Sequence, residues 1–187
     1  MNRRTWLQGV FAAAAGGVAA QARPATTAPQ SPQIEALQKN WRTLLAAGVN
    51  PPAPTQKLAL SKDEWRKRLD KMQYHVLREE GTERAGSSPL NNEKRAGIYA
   101  CAGCDLPLFT SEMKFDSGTG WPSYFTTIPG VFETKTDYHL LYPRTEYHCI
   151  RCGGHHGHIF DDGPKPTGLR YCNNGVALKF IPKSAKV

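Results

Sequence analysis

The sequence of 187 residues lacks several things, and each absence excludes something. Its longest apolar stretch, Gly9 to Ala20, is rich in Ala and Gly and too short to span a bilayer as a permanent helix, so no stable membrane insertion is expected. No run of basic residues stands behind the net charge of +8. Residues 1–22 hold two arginines and no acid; beyond them 22 basic residues face 16 acidic ones, or +6, scattered along the chain. That balance permits an anionic partner without requiring one, and aromatic–basic interleaving of the kind that binds nucleic acid is missing. Strands do not alternate with helices, which excludes a parallel α/β sheet, and no internal repeat is visible beyond two cysteine pairs. There are only five cysteines, an odd number that cannot all pair. With 40% hydrophobic and 21% charged residues, the chain has the composition of one globular domain with a proper core.

Residues 1–22 read as a targeting segment. Asn2-Arg3-Arg4-Thr5-Trp6-Leu7 is a twin-arginine n-region, the apolar stretch follows, and Ala20-Gln21-Ala22 offers a small-x-small cleavage site. The competing reading is an ordinary secretory signal with two adjacent arginines. Either way the mature protein is expected to begin near Arg23 and to be periplasmic or otherwise exported from a bacterium. Residues 23–33 are Pro/Thr/Gln-rich and read as a flexible linker. Residues 34–60 form an N-terminal helix and a Pro-rich connection: Ile34, Leu37, Trp41, Leu44 and Leu45 recur at helical spacing toward Ala47, Gly48 is a stop, and Asn50 to Pro54 breaks the chain.

The main domain is expected over residues 61–183. Ser61 with Glu64 makes a capping box, and Trp65, Leu69, Met72 and Val76 then form one core-facing stripe. Thr82 to Arg95 reads as a long surface loop. After Gly97 the pattern changes to short aromatic and β-branched segments (Ile98–Ala100, Tyr138–Tyr142, Tyr147–Arg151, His158–Phe160, Leu169–Cys172, Val176–Ile181) between Gly, Pro, Asp and Asn turns. The fold class is mainly β, an antiparallel sheet domain with N-terminal helices.

Cys101-Ala102-Gly103-Cys104 and Cys149-Ile150-Arg151-Cys152 are two CxxC pairs with 44 residues between them. Two such knuckles make a closed site of four cysteines, which is structural, and zinc suits four thiolates better than iron does. One Zn2+ per chain is expected. The exported context keeps open a second reading, disulfides within the turns. A single CxxC would equally suit a redox pair; two in one domain point to metal.

Cys172 is then left over, in a stretch that also holds His155, His156 and His158. A lone cysteine is either a small buried apolar residue or a nucleophile whose thiolate its neighbours favour. Arg170 and Asn174 lie two residues to either side, on the same face of a strand. His155 and His158 are placed to supply a proton. Trp121, in the turn Gly118-Thr119-Gly120-Trp121-Pro122-Ser123, carries an indole either to the surface or into the core. His75, His139 and His148 are read as structural or solvated.

KFDSGTGWPSYF (114–125), the two CxxC pairs, GGHHGHIFDDGP (153–164) and LRYCNNGVALKF (169–180) together closely resemble the B-type methionine sulfoxide reductases. The resemblance runs from about Ser61 to Phe180 and includes Tyr74 to Arg78 and Thr82-Glu83. It implies a small domain of two antiparallel sheets with a structural zinc, and thiol-dependent reduction of methionine-R-sulfoxide in oxidised proteins. Cys172 matches the family's catalytic cysteine. His155, His158 and Asn174 match its polar pocket, Trp121 the indole that receives the substrate methyl, and Arg170 the arginine near the nucleophile. Cys172 would pass through a sulfenic acid.

The chain departs from relatives at Thr119, where many carry a resolving cysteine, so an external thiol or thioredoxin-like reductant is expected. Asn173 replaces a residue that is usually apolar, and Gly175 one that is often serine; both are expected to loosen the turn after the nucleophile. His156, more often apolar in relatives, is read as a surface or packing variant. Two other function classes compete: a zinc-ribbon-like nucleic-acid module, disfavoured by the wide knuckle spacing and the export signal, and a catalytically inactive zinc-stabilised domain that only binds oxidised proteins. Nothing indicates more than a monomer.

Overall fold

A computed structural model of the protein describes residues 31–45, 48–138 and 142–183. The targeting segment and residues 23–30 of the linker lie outside the described residues. Helix α1 (Pro32–Asn40) starts two residues before Ile34, because Ser31 caps it and proline suits the first turn. It tightens into a 3-10 turn at Trp41–Leu44.

The single helix expected from Ser61 is two. In α2 (Lys62–Arg68) Ser61 and Glu64 form the expected capping box; Asp70 and Gln73 then form a second box that starts α3 (Lys71–Glu79). The break at Leu69–Asp70 resets the helical phase. Trp65, Leu69 and Val76 still reach the core, whereas Met72 is 45% exposed. Among the described residues, no helix is long and apolar enough to cross a membrane.

Strands β1 (Gly97–Cys101), β2 (Pro107–Thr110), β3 (Lys114–Phe115), β4 (Ser123–Tyr124), β5 (Phe132–Asp137), β6 (Arg144–Cys149), β7 (His155–Phe160), β8 (Arg170–Asn173) and β9 (Leu178–Pro182) build two antiparallel sheets, as expected. One has the order β2-β1-β9, the other β3-β4-β8-β7-β6-β5. Sequence patterning did not mark β5, whose Glu, Thr and Lys side chains suit an exposed sheet edge; the strand expected at Tyr138–Tyr142 lies mostly outside the described residues. Tyr138 and Tyr142 are exposed outside any strand, and residues 139–141 lie outside the described residues.

The core is an aromatic layer on one face of the larger sheet. Phe109 stacks on Tyr124 at 3.9 Å, and Phe132 meets Tyr147 edge-on at 4.8 Å. Val76 and Leu77 of α3 join the same core. Each such side chain contributes about 1.5–3 kcal/mol by leaving water. The segment expected as a surface loop over 82–95 is partly interior: Glu83 and Ser88 are buried, and Pro89–Asn92 forms a 3-10 turn.

Candidate active site

Strand β8 lies between β4 and β7, and register lines up a row of polar side chains across the sheet. Ser123 faces Cys172, Cys172 faces His158, His158 faces Glu146, and Glu146 faces Lys135. Residues directly opposite in antiparallel strands share a face and stand about 4.5–5.5 Å apart at Cβ. The Cys172 thiol and the His158 imidazole are therefore neighbours by backbone pairing alone.

Simple alternation along β7 would put His156 beside His158 and turn His155 away. A bulge prevents this: Tyr147 pairs with Gly157, but His148 pairs with His155. The extra residue is His156, which points into the core and is fully buried against Phe132 and Tyr147. It is a packing residue rather than a surface one. The bulge brings the His155 ring within 5.6 Å of the His158 ring. Gly157 is obligatory here, since a Cβ would meet the Cys172 carbonyl oxygen at 2.0 Å.

A pocket of about 140 Å³ opens over the row, lined by Thr82, Trp121, Arg144, Gly157, His158, Phe160, Cys172, Asn173 and Asn174. That volume suits a side-chain terminus rather than a large cofactor. Of the residues expected in the site, Cys172, Trp121, His158 and Asn174 line this pocket. His155 does not; it is buried behind His158 with Nδ1 against Glu146. Arg170 makes a bidentate pair with Asp162 at 2.7 and 2.8 Å, lies over the Phe160 ring, and is held within reach of the Cys172 sulfur.

Burial pushes the Cys172 thiol above its ordinary value; the Arg170 charge and hydrogen bonds from Thr119 and Arg170 pull it down without cancelling that effect. Thr119 ends a hydroxyl chain: its Oγ1 lies 2.9 Å from Ser117 Oγ, which lies 2.8 Å from Ser123 Oγ. His158 Nε2 lies 2.7 Å from Asp137 Oδ2, which also accepts a hydrogen bond from Arg144 at 2.6 Å. Burial lowers the His158 pKa, and the Asp137 carboxylate works against that fall. Burial brings His155 down to about 4, leaving it neutral at pH 7.

Sequence reasoning gave no role to the residue that ties these parts together. Glu83 is 2% exposed. Its carboxylate accepts hydrogen bonds from the backbone N–H groups of Gly175 (2.5 Å) and Val176 (3.0 Å), in the turn just after β8. Its own N–H donates to Asn174 Oδ1 at 2.9 Å, and its carbonyl accepts from the Trp121 indole N–H at 3.1 Å. Asp137 and Arg144 also went unassigned, because their pairing depends on how β5 meets β6.

The turn after Cys172 is tight, contrary to expectation. Asn173 is fully buried, accepting from the Tyr147 hydroxyl at 2.8 Å and donating to the Asn174 carbonyl at 2.7 Å. A Cβ on Gly175 would meet Ser88 Oγ at 1.9 Å, so glycine here lets the 82–95 segment close onto the turn.

The four remaining cysteines come together as expected. All are buried and unbridged; Cys101 Sγ lies 3.7 Å from Cys152 Sγ, and Cys104 Sγ lies 3.5 Å from Cys149 Sγ. Disulfides need about 2.05 Å, whereas four thiolates on a tetrahedral ion with bonds near 2.3 Å sit roughly 3.8 Å apart. The sulfurs thus fit a metal ion. Arginines bind the knuckle backbones: Arg68 donates to the Gly103 carbonyl, Arg151 to Cys104 and Arg78 to Cys152.

Residues 69–182 match the SelR domain. The chain belongs to this family, the B-type methionine sulfoxide reductases. Among its relatives, "Peptide methionine sulfoxide reductase MsrB" of Agrobacterium fabrum is 51% identical over 127 residues, covering 67% of this chain and 94% of that protein. "Peptide methionine sulfoxide reductase B1, chloroplastic" of Oryza sativa is 52% identical over 128 residues, or 68% of this chain and 60% of that one. "Methionine-R-sulfoxide reductase B3, mitochondrial" of Mus musculus is 49% identical over 127 residues, or 67% of this chain and 50% of the relative. The match therefore spans less than two thirds of the plant and mouse proteins, and nearly all of the bacterial one. Family membership accords with the two antiparallel sheets and the metal-binding arrangement of four cysteines.

Proposed function

We propose that the protein is a peptide-methionine (R)-S-oxide reductase that acts on oxidised proteins, with Cys172 as nucleophile. The observation that carries this reading is the direct cross-strand pairing of Cys172 with His158 inside the Trp121 pocket, in a chain of this family. The R epimer is supported by the mouse relative, a methionine-R-sulfoxide reductase by name.

The substrate sulfoxide sulfur meets the Cys172 sulfur, and a new S–S interaction forms as a proton reaches the sulfoxide oxygen. His158, oriented by Asp137, is the proton carrier. The substrate S–O bond and the transient S–S bond then break as an S–O bond forms on Cys172, so thiol plus sulfoxide gives sulfenic acid plus thioether with no other reactant consumed. Because burial keeps the resting thiol largely protonated, its proton stays in the site until substrate arrives. Trp121 supplies an apolar wall for the methyl group, and Asn174 has a second amide hydrogen left over for substrate.

Cys101, Cys104, Cys149 and Cys152 hold one structural zinc, which staples the start of the smaller sheet to the β6–β7 turn. Regeneration uses an external thiol or thioredoxin-like donor, because Thr119 takes the place of a resolving cysteine and the other cysteines are committed to the metal. After one turnover without reductant, dimedone should label Cys172; an intramolecular disulfide to Cys172 would overturn this step. The targeting segment supports action outside the cytoplasm, which cell fractionation checks.

The test of the activity is turnover of separated R and S epimers of a blocked methionine sulfoxide with dithiothreitol. Wild type should reduce only the R epimer, and Cys172→Ser should reduce neither. Absence of R turnover by folded, zinc-loaded wild type would refute the proposal.

A further inference from the structure

The bulge that brings His155 under His158 also gathers a second set of ligand atoms, away from the four cysteines. Glu146 Oε1 lies 3.0 Å from His148 Nε2 and in direct contact with His155 Nδ1, and the three atoms all lie within 4.8 Å of one another. Each is buried, and none makes an aligned hydrogen bond. Glu146 and His155 are each 2% exposed. Three buried polar atoms gathered this closely, without hydrogen bonds of good geometry, call for a shared partner.

The surrounding contacts say what it is. His148 Nδ1 lies 3.3 Å from the Gly153 carbonyl oxygen, which can only accept, so Nδ1 carries the proton. Nε2, which faces the Glu146 carboxylate, is then the ring nitrogen placed to serve as a ligand. The other carboxylate oxygen is tethered by Lys135 at 3.3 Å, and Lys135 is itself held by Glu80 at 2.5 Å; this keeps Oε1 facing the histidines. Bonds of about 2.1 Å to one ion place neighbouring ligand atoms roughly 3.0–3.4 Å apart. The spacing of Glu146 and His148 falls in that range, and His155, now in direct contact with Oε1, has to draw back slightly to share the ion.

We propose that Glu146, His148 and His155 form a second metal site, which takes a divalent cation of the zinc type. Two imidazoles and one carboxylate are the donor set of zinc, cobalt and nickel sites that keep an open position. Three ligands from protein, with the His148 side chain 14% exposed as the way in, make the ion exchangeable, unlike one enclosed by four cysteines. It would sit directly behind His158, in contact with the ring that packs on it.

The experiment uses the full chain carrying Cys172→Ser, so that the free thiol cannot act as a stray ligand. Protein with one zinc bound is titrated with Zn2+ against a chromophoric chelator. A second equivalent should bind, and His148→Ala should weaken that step by at least about a hundredfold while keeping the first zinc. Because position 148 adjoins Cys149, Glu146→Gln repeats the test with side-chain size preserved and should give the same loss. X-ray absorption of the second ion should show nitrogen and oxygen neighbours at about 2.0–2.1 Å rather than sulfur at about 2.3 Å. The site does not exist if no second equivalent binds, if both variants bind it unchanged, or if its ligands are sulfur.

Discussion

Replacing Glu83 by glutamine should damage the site without touching a reacting atom. Glu83 presents two carboxylate oxygens to two backbone donors, Gly175 N–H and Val176 N–H. Glutamine has one oxygen, so one of those donors must face an amide NH2. One charge-assisted hydrogen bond, worth about 1.5–3 kcal/mol, is lost, and a buried N–H is left unpaired. Some rearrangement recovers part of this, so a net destabilisation of about 3 kcal/mol is expected. At roughly 3 °C per kcal/mol for a chain of this size, the melting temperature should fall by about 10 °C. Activity should fall as well, because the same segment holds Asn174 through the Glu83 N–H and the Trp121 indole through the Glu83 carbonyl. The assay pairs thermal melting of zinc-loaded protein with turnover of the R epimer, measured well below the lower melting point. A melting temperature within about 2 °C of wild type together with unchanged turnover would refute the clamp. Reduced stability with intact turnover would confine Glu83 to folding.

Two further outcomes follow from buried polar groups. Burial holds His156 at about 3, so above pH 6.5 it is neutral in both folded and unfolded chains; as pH falls from 6.5 only the unfolded chain takes up its proton, and about 3 kcal/mol is lost by pH 4. His156→Leu should flatten that acid slope in urea titrations and add about 1–3 kcal/mol at neutral pH by removing two unpaired buried nitrogens; an unchanged slope would mean that His156 is not the titrating group. Thr119→Val should raise the Cys172 pKa, read as an upward shift in the pH dependence of iodoacetamide alkylation, since the hydroxyl that stabilises the thiolate is gone. No shift, or a downward one, would show that the hydroxyl chain does not reach the sulfur.

The parts of the site legible in the sequence are those set by local spacing. CxxC puts two sulfurs on one side of a turn whatever surrounds it, so Cys101, Cys104, Cys149 and Cys152 were readable as a metal site, and Cys172 stood out once they were assigned. Strand positions in β1, β7, β8 and β9 were readable from aromatic and β-branched content. Long-range pairing was not. Nothing near Glu83 says that its carboxylate meets Gly175 and Val176, some 90 residues on. The β5 strand reads as polar coil until its register with β6 is known. The helix break at Leu69 was visible only as Asp70 and Gln73, a capping box hidden inside an apparently continuous apolar stripe.

The bulge in β7 shows why residue identity and residue placement separate. His155, His156 and His158 are chemically the same, and alternation alone assigns the wrong pair to the face of Cys172. One inserted residue sends His156, the unpaired one, into an aromatic core, where burial keeps it neutral. His155 moves to Glu146, and His158 stays opposite the thiol. The environment, not the side chain, sets one imidazole opposite the Cys172 thiol, packs another into the aromatic core and places the third against Glu146. What specifies that division is a backbone contact: Gly157 lies so close to the Cys172 carbonyl that no other residue can occupy the position, and this approach holds the bulge in register beside Cys172.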